Sequence, residues 1–238
     1  MKALYGKTVL DRLEERVAPS RAALIVVDMQ NDFCSAGGMM DRLGTNVGLV
    51  QATVPVLAEL LAAARAAGVL VVYLQNRTRS DGRYSAPADL LRKYLTYADE
   101  DDLLITLEGS WGERVIAELE PERGDVVIVK HRPDGFERTQ LGLILKSNGI
   151  ESVLITGTST FACVESTARR ALMEDYYVTV VEDCVAATDS DLQAASLTVM
   201  RAFFGTECVV PARVLAEVWA AAKAGVPEEL VGATGGAD

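Results

Sequence analysis

Short runs of apolar, mostly β-branched residues alternate along the chain with stretches in which apolar residues recur every three or four positions. Runs of the first kind are typical of strands buried on both faces of a parallel sheet, and the longer stretches are typical of helices that cover its faces. The predicted strands are residues 23–28, 69–76, 125–130, 152–157, 177–182 and 207–210.

Helical spacing fills the intervals between those strands. Gly68 and Gly149 each follow a predicted helix, at a position where glycine commonly ends one. Pro55 lies inside the first predicted helix, so we expect a kink there or a later helix start. Because right-handed crossovers distribute helices over both faces of a sheet, the pattern predicts a three-layer, Rossmann-like α/β/α fold with a mainly parallel six-stranded sheet. The predicted helices are residues 47–67, 112–118, 140–147, 163–175, 191–204 and 212–224.

Residues 77–110 have no clear strand pattern and are rich in charge, glycine and tyrosine, which predicts the longest irregular connection of the chain. A connection of this length is typical of a lid or a subunit contact. Residues 229–238 are expected to form a frayed tail. A chain of 238 residues, half of them hydrophobic, fits one domain over residues 1–238 with a core at about 20–225.

Acidic residues outnumber basic ones, 34 to 23, which gives a formal charge of -11 and a pI near 4.7. Such a field repels phosphate backbones and anionic lipids, so nucleic acids and membrane surfaces are poor candidate partners. No apolar run reaches the roughly 18 residues of a membrane-spanning helix, and the N-terminus carries charges where a secretory signal is apolar. We therefore expect a cytoplasmic protein. The four cysteines are widely spaced and form no CxxC pair, which favours free thiols over disulfides.

Three reactive side chains lie at the carboxyl ends of predicted strands, where an open parallel sheet forms its binding crevice. Asp28 ends the first strand, Lys130 ends the third, and Cys163 follows the fourth at the start of a helix. A carboxylate, an ammonium and a thiol at one sheet edge are what a thiol hydrolase without a histidine requires. We expect the helix N-terminus and Lys130 to lower the pKa of the Cys163 thiol.

Each of the three residues also has a purely structural interpretation. Cys163, between Ala162 and Val164, is compatible with a small buried apolar residue. Asp28 is compatible with a turn or helix cap. Lys130 is compatible with an exposed charge whose stem covers apolar surface. The strand, turn, cysteine and helix in succession favour the chemical interpretation.

Two segments and a lysine between them resemble a known family. The sequences ALIVVDMQNDF at 23–33 and TGTSTFACVESTARRA at 156–171, with the strand-terminal Lys130, are similar to those of the isochorismatase-like cysteine hydrolases. The resemblance runs from Ala23 to Val210 in the right order and spacing.

The resemblance implies a catalytic triad in which Asp28 is the general base, Lys130 its partner and Cys163 the nucleophile. It also implies a cis peptide bond between Thr158 and Ser159, with the N–H groups of Ser159 and Cys163 as the oxyanion hole. No cofactor is expected. The family usually forms dimers or tetramers, so the resemblance implies a homo-oligomer.

A substrate pocket is implied as well. Phe33 corresponds to an aromatic wall of the family's pocket, and Thr160 is a further expected substrate contact. Asn76, in the segment LQN, resembles an asparagine that holds a ureido group in the ureidoacrylate amidohydrolase branch, although a turn residue after a strand is the structural alternative. Trp111, in the segment GSW, either lines the pocket or packs under the long connection.

The chain departs from the family pattern in two places. Asn76 and Thr78 stand where metal-containing nicotinamidases have an Asp-x-His motif, so no metal is expected. Asp134 lies in the loop after Lys130, which commonly has a serine in the family, and its carboxylate is expected to repel acids or to select a cationic or neutral group. For the single histidine, His131, we expect only a structural role, because the family does not use a histidine there.

The expected function is hydrolysis of a C–N bond in a small ureido or carbamoyl amide through a thioester, with release of ammonia. One alternative is vinyl ether hydrolysis of the isochorismatase type, which in the family relies on the aspartic acid and not on a thiol. The other is a non-catalytic binding protein on the same scaffold. The presence of Cys163 disfavours the first alternative, and the retention of all three triad positions disfavours the second.

Overall fold

A computed structural model describes residues 1–97 and 104–224. Six strands form one sheet in the order β5-β4-β3-β6-β7-β8, and every neighbouring pair is parallel. Strands β1 and β2 form a separate antiparallel hairpin that the apolar pattern did not predict, because their residues are largely exposed. The strands are β1 Lys2–Leu4, β2 Lys7–Val9, β3 Ala22–Val27, β4 Leu70–Asn76, β5 Val126–Lys130, β6 Ser152–Thr158, β7 Tyr177–Ala186 and β8 Val209–Val210.

Helices connect these strands and cover both faces of the sheet. The predicted helix at 47–67 is divided in two, and its longer part begins at Val54 with Pro55 in its first turn, so the later start is confirmed. Gly68 ends that helix at a φ of 77°, as predicted. The helices are α1 Leu13–Arg16, α2 Asn31–Cys34, α3 Met39–Arg42, α4 Gly48–Gln51, α5 Val54–Ala67, α6 Pro87–Tyr97, α7 Leu141–Ser147, α8 Glu165–Met173, α9 Ser190–Phe204 and α10 Ala212–Ala224.

Two predictions about the helices are wrong. Residues 112–118 do not form a helix, because their backbone bonds to another segment: Ile116 N–H donates to Met29 O and Asn31 N–H to Arg114 O, at 3.0 and 2.9 Å. Only one 3₁₀ turn, Ala117–Leu119, follows. Residues 77–110, predicted to be irregular, contain the eleven-residue helix α6. The predicted tail at 229–238 lies outside the described residues.

The core consists of two apolar layers, one on each face of the sheet. Alternate residues of β3 face opposite layers, as the pleat of a strand requires. On one face α5 and α10 pack together, and the buried Trp219 donates its indole N–H to Val17 O at 2.8 Å. On the other face the buried residues of α7, α8 and α9 pack against the strands. This arrangement is the predicted three-layer α/β/α fold.

The stretch Gly48–Ala67 is long and apolar enough by composition to cross a membrane. In the fold it is the pair α4 and α5, and Leu57, Leu60 and Leu61 of α5 are buried in the core. Its apolar character is therefore explained by packing against the sheet.

Strands β3 and β6 leave no room for a side chain at one position near their carboxyl ends. Gly157 of β6 has a φ of 103°, and a Cβ atom there would lie 2.1 Å from Val27 O of β3. The chain order also reverses between these two central strands, since β4 and β5 lie to one side and β7 and β8 to the other. In open parallel sheets, ligands bind beyond the carboxyl ends of the strands at such a switch point.

Candidate active site

Asp28 follows directly after the central strand β3. It has a φ of 51°, a left-handed conformation that aspartate tolerates better than most residues, and this turns the chain out of the strand. The carboxylate is 1% exposed, and its Oδ1 accepts the Asn76 N–H at 3.0 Å. The side chain therefore lies across the end of β4 and is directed along the sheet edge.

Lys130 is the last residue of the edge strand β5, and its side chain is 0% exposed. Its Nζ lies 2.7 Å from Asp28 Oδ2 and donates to Arg132 O at 3.1 Å. A buried ammonium is tolerated when it has a charge partner and hydrogen bonds, and Lys130 has both. The alternative of an exposed strand-end lysine is therefore wrong.

Cys163 lies in a π-helical turn, Thr160–Val164, that connects β6 to α8. Its side chain interacts with both Asp28 and Lys130, and the residue borders an open cavity. The carboxylate, the ammonium and the thiol come from three separate strand ends and meet at the switch point. Cys163 also packs against the apolar core, as the structural alternative expected, but it is only partly buried and borders the cavity.

The three groups change one another's pKa. Burial raises the pKa of Asp28, and Lys130 opposes that rise. Burial alone would lower the pKa of Lys130, but the neighbouring Asp28 carboxylate opposes it and that pKa is raised. Burial raises the pKa of the Cys163 thiol to about 12, since the opposing effect of Lys130 is too small. The expectation of a lowered thiol pKa is therefore wrong for the resting site, where the thiol is protonated.

The turn that carries Cys163 begins with a cis peptide bond between Thr158 and Ser159, as the family resemblance implied. Ser159 O accepts the N–H groups of Ala162 and Val164, at 3.0 and 3.2 Å, which ties the turn into a compact loop. Ser159 and Cys163 both border the cavity, so the two residues of the implied oxyanion hole lie beside the space that a substrate would occupy.

The cavity above the thiol has a volume of about 250 Å³. This is smaller than the roughly 300–1,000 Å³ typical of sites for drug-sized ligands, which indicates a small substrate. Phe33 and Asn76 border the cavity as predicted. Its other walls come from α3, from α6 and the segment after it, from the loops after β5 and β7, and from the turn after β6. They include Met40, Ile105, Pro133, Phe161, Ala162 and Thr188.

Three side chains predicted to face the substrate lie elsewhere. Trp111 is about half exposed and borders a different cleft, with Asn31 and Arg77. Thr160 is fully buried beneath the turn and does not border the cavity. Asp134 does not border it either, because its carboxylate accepts the Phe136 N–H at 2.8 Å and caps its own loop.

The Asn76 amide is held in one orientation by a residue that the sequence did not single out. Thr106 is buried, has a φ of 54°, and donates its hydroxyl to Ile105 O at 2.7 Å. Its Oγ1 must then act as acceptor for Asn76 Nδ2, which lies 2.7 Å away. The Asn76 Oδ1 carbonyl and the second N–H of Nδ2 are therefore left for a ligand. No local pattern marks Thr106, since it reaches Asn76 only through the fold.

His131 also borders the cavity, but its ring is held by two residues that do not border the cavity. Its Nδ1 lies 2.8 Å from Arg77 O and so carries the proton as a donor. The ring stacks on Tyr84 with centroids 4.3 Å apart. Within residues 1–97 and 104–224, no group of three or more histidine, cysteine and acidic side chains is arranged to hold a metal ion.

A parallel α/β sheet with a thiol, a carboxylate and an ammonium at one switch point defines a class of candidate thiol hydrolases. Comparison with known proteins identifies the family. The chain matches the isochorismatase domain over residues 22–209 and belongs to that family as an isochorismatase-like hydrolase.

Individual relatives span most of the chain. The ureidoacrylate amidohydrolase of Enterobacter sp. (strain 638) is 37% identical over 196 residues, covering 79% of this chain and 85% of that protein. The ureidoacrylate amidohydrolase of Yersinia enterocolitica is 35% identical over 217 residues, covering 83% and 93%.

Solved structures agree in fold. A cysteine hydrolase from Pseudomonas syringae pv. phaseolicola superposes with a TM-score of 0.75 at 31% identity, covering 86% of this chain and 94% of that one. N-carbamoylsarcosine amidase from Thermoplasma acidophilum superposes with a TM-score of 0.63 at 30% identity, covering 81% and 96%.

Proposed function

We propose that this protein is a cysteine amidohydrolase that cleaves the terminal C–N bond of a small ureido or carbamoyl amide and releases ammonia. The observation that carries the proposal is the placement of Cys163 beside a buried Asp28–Lys130 ion pair at the border of a small cavity. The similarity to ureidoacrylate amidohydrolases and to N-carbamoylsarcosine amidase supports the choice of bond.

In the first half-reaction, Asp28 takes the proton of the Cys163 thiol as the sulfur attacks the substrate carbonyl carbon. A thiol with a pKa of about 12 needs such a base near neutral pH. The raised pKa of Asp28 makes it a stronger base than an ordinary carboxylate. The N–H groups of Ser159 and Cys163 stabilise the oxyanion that forms on the carbonyl oxygen.

The C–N bond then breaks. The Asp28 carboxyl returns its proton to the departing nitrogen, ammonia leaves, and the acyl group stays on sulfur as a thioester. Asp28 next takes a proton from water, whose oxygen attacks the thioester carbonyl. The sulfur leaves and recovers the proton from Asp28, and a carbamate is released. Lys130 stays protonated throughout and stabilises the negative charge of its two neighbours.

A ureido group also fits the hydrogen-bonding capacity of the cavity wall. The Asn76 Oδ1 is an acceptor for an N–H of the ligand, because the bond from Nδ2 to Thr106 fixes the orientation of the amide. A urea-like ligand offers N–H groups on both sides of its carbonyl. One nitrogen can therefore bind Asn76 while the carbonyl carbon faces the sulfur.

The test is ammonia release from ureidoacrylate, N-carbamoylsarcosine, biuret and nicotinamide. Cys163→Ala is expected to lower the rate at least ~1,000-fold for every compound that the wild type hydrolyses, because the nucleophile is lost. Cys208→Ala is the matched control, since Cys208 is also a partly exposed free thiol and does not border the cavity. It is expected to keep full activity. Ammonia release by Cys163→Ala at the wild-type rate would refute the mechanism.

The thioester has its own signature. Acid quenching during turnover is expected to trap wild-type protein with an added acyl mass on Cys163, and mass spectrometry of the intact chain and of its peptides measures it. Turnover with no trace of that adduct, even at saturating substrate, would contradict the covalent route.

A further inference from the structure

Cationic side chains line the outer part of the cavity. Arg92 and Lys93 come from α6, and Arg132 from the loop after β5. Asp89 is the one acid among the lining residues besides Asp28, whose charge is balanced by Lys130. The described mouth thus carries three cations against one anion, in a chain whose formal charge is -11.

Helix α6 turns its charged residues inward. Asp89 and Lys93 are 14% and 13% exposed, whereas Leu91 and Leu95 on the same helix are 57% and 74% exposed. A helix that covers a protein core shows the opposite arrangement, with its apolar side inward. Contact with solvent therefore does not explain the charged residues on the inner side of α6.

Asp89 holds the two α6 cations in place. Its carboxylate lies 2.9 Å from Arg92 Nη2 and 3.4 Å from Lys93 Nζ. Burial would raise the pKa of Asp89, but the two cations outweigh burial and lower it. Arg92 is half exposed and directed partly to solvent. Lys93 is the α6 cation that is buried against the cavity.

Arg132 is fixed by carbonyl groups and not by an acid. Its Nη1 donates to Tyr84 O at 2.9 Å and to His131 O at 2.6 Å. No carboxylate of residues 1–97 or 104–224 lies within 4.0 Å of its guanidinium. Carbonyl contacts position the guanidinium but leave its full positive charge for a ligand.

We propose that Lys93 and Arg132 bind a carboxylate on the substrate, at the end remote from the bond that is cleaved. The enzyme then selects acidic ureides over neutral ones of the same size. The reaction in this inference rests on the proposed function, whereas the carboxylate site is tested by ligand binding alone. A guanidinium and an ammonium that line the same 250 Å³ cavity suit the carboxylate of a short acid that extends towards the thiol.

Binding is measured in the Cys163→Ala background, so that no turnover interferes. Calorimetric titration compares 3-ureidoacrylate with its methyl ester, which has the same ureido group and no charge. The acid is expected to bind at least about tenfold more tightly. Lys93→Gln and Arg132→Gln are each expected to lower the affinity for the acid by about tenfold or more and to change the affinity for the ester less than twofold.

Arg83→Gln is the matched control. Arg83 is 83% exposed, lies in the same segment as α6 and does not border the cavity. It is expected to leave both affinities unchanged. If Lys93→Gln and Arg132→Gln weaken the binding of acid and ester equally, the carboxylate site is overturned and the two residues have a structural role. Unchanged affinity for the acid in both variants would also overturn the site.

The two proposals fail separately. Wild-type protein that releases no ammonia from any ureide overturns the proposed reaction, whatever the affinities are. Acid and ester that bind Cys163→Ala equally well overturn the carboxylate site, even when the wild type hydrolyses both.

Discussion

Asp28 combines two properties that rarely occur together in a carboxylate. It is almost completely buried, and it contacts both an ammonium and a thiol. Burial disfavours the charged form and raises its pKa, while Lys130 keeps the charged form accessible. A carboxylate tuned in this way can accept a proton from a thiol and return it within one catalytic cycle.

The raised pKa of Asp28 predicts the pH dependence of the reaction. Asp28 must be ionised to act as base, so kcat/KM is expected to fall as pH decreases through its raised pKa. That acid limb should lie above the roughly 4 of an ordinary aspartate. A pH–rate profile measures it, with a substrate that does not titrate in this range.

Asp28→Asn keeps the size of the side chain and removes the base. It is expected to abolish the acid limb and to lower kcat/KM at least ~100-fold. An acid limb at or below pH ~4 would contradict the assignment of Asp28 as base.

At the scale of the secondary-structure elements, the pairing of β3 with β6 restricts one position, Gly157, to glycine. Gly157→Ala is expected to destabilise the fold by about 3 kcal/mol or more, because the new Cβ would collide with Val27 O. Denaturant unfolding measures the change.

Gly124→Ala separates collision from conformation. Gly124 has a φ of 108°, close to the 103° of Gly157, but no atom lies within 4 Å of its Cβ position. Its substitution should cost only about 1 kcal/mol of backbone strain. Equal losses in the two variants would mean that backbone conformation, and not the approach of the strands, governs Gly157.

Elements differ in how far the sequence predicts them. The central strands β3 and β6 were predictable because both of their faces are buried, and a continuous apolar run is the sequence pattern of such a strand. Helix α6 was not predictable in this way, since its charged side faces a cavity and its apolar side faces outward. Residues 112–118 have helical spacing, but their backbone partners lie near Met29, far away in sequence.

At the scale of the whole molecule, the charge of the chain and the charge of its cavity differ in sign. The formal charge of -11 repels an acid at long range, whereas the cavity cations attract it at contact. Salt screens distant charges first, because the Debye length is ~10 Å at 0.1 M.

This difference predicts an unusual salt effect. For an acidic ureide, kcat/KM is expected to rise roughly two- to fivefold between 10 and 150 mM salt. The neutral methyl ester serves as the control and should change little. A decrease for the acid over this range would show that cavity attraction, and not the overall field, controls the encounter.

The candidate site was only partly predictable from the sequence. Asp28, Lys130 and Cys163 were found because strand ends converge in parallel sheets and because their motifs resemble a family. Thr106 and Lys93 reach the cavity only through tertiary folding. Trp111 and Thr160 were assigned to it by motif alone, and the direction of a side chain is not encoded in a motif. The homo-oligomer and the cytoplasmic location stay predictions.

The three groups at the switch point together span more than a hundred residues of chain and are supplied by strands on both sides of the sheet centre. No fragment that lacks either half can bring them together. Catalytic activity should therefore return during refolding only when β5, β4, β3 and β6 have all paired. Enzymatic turnover would then report on the integrity of these four strands, more stringently than a spectroscopic signal that sums over separate helices.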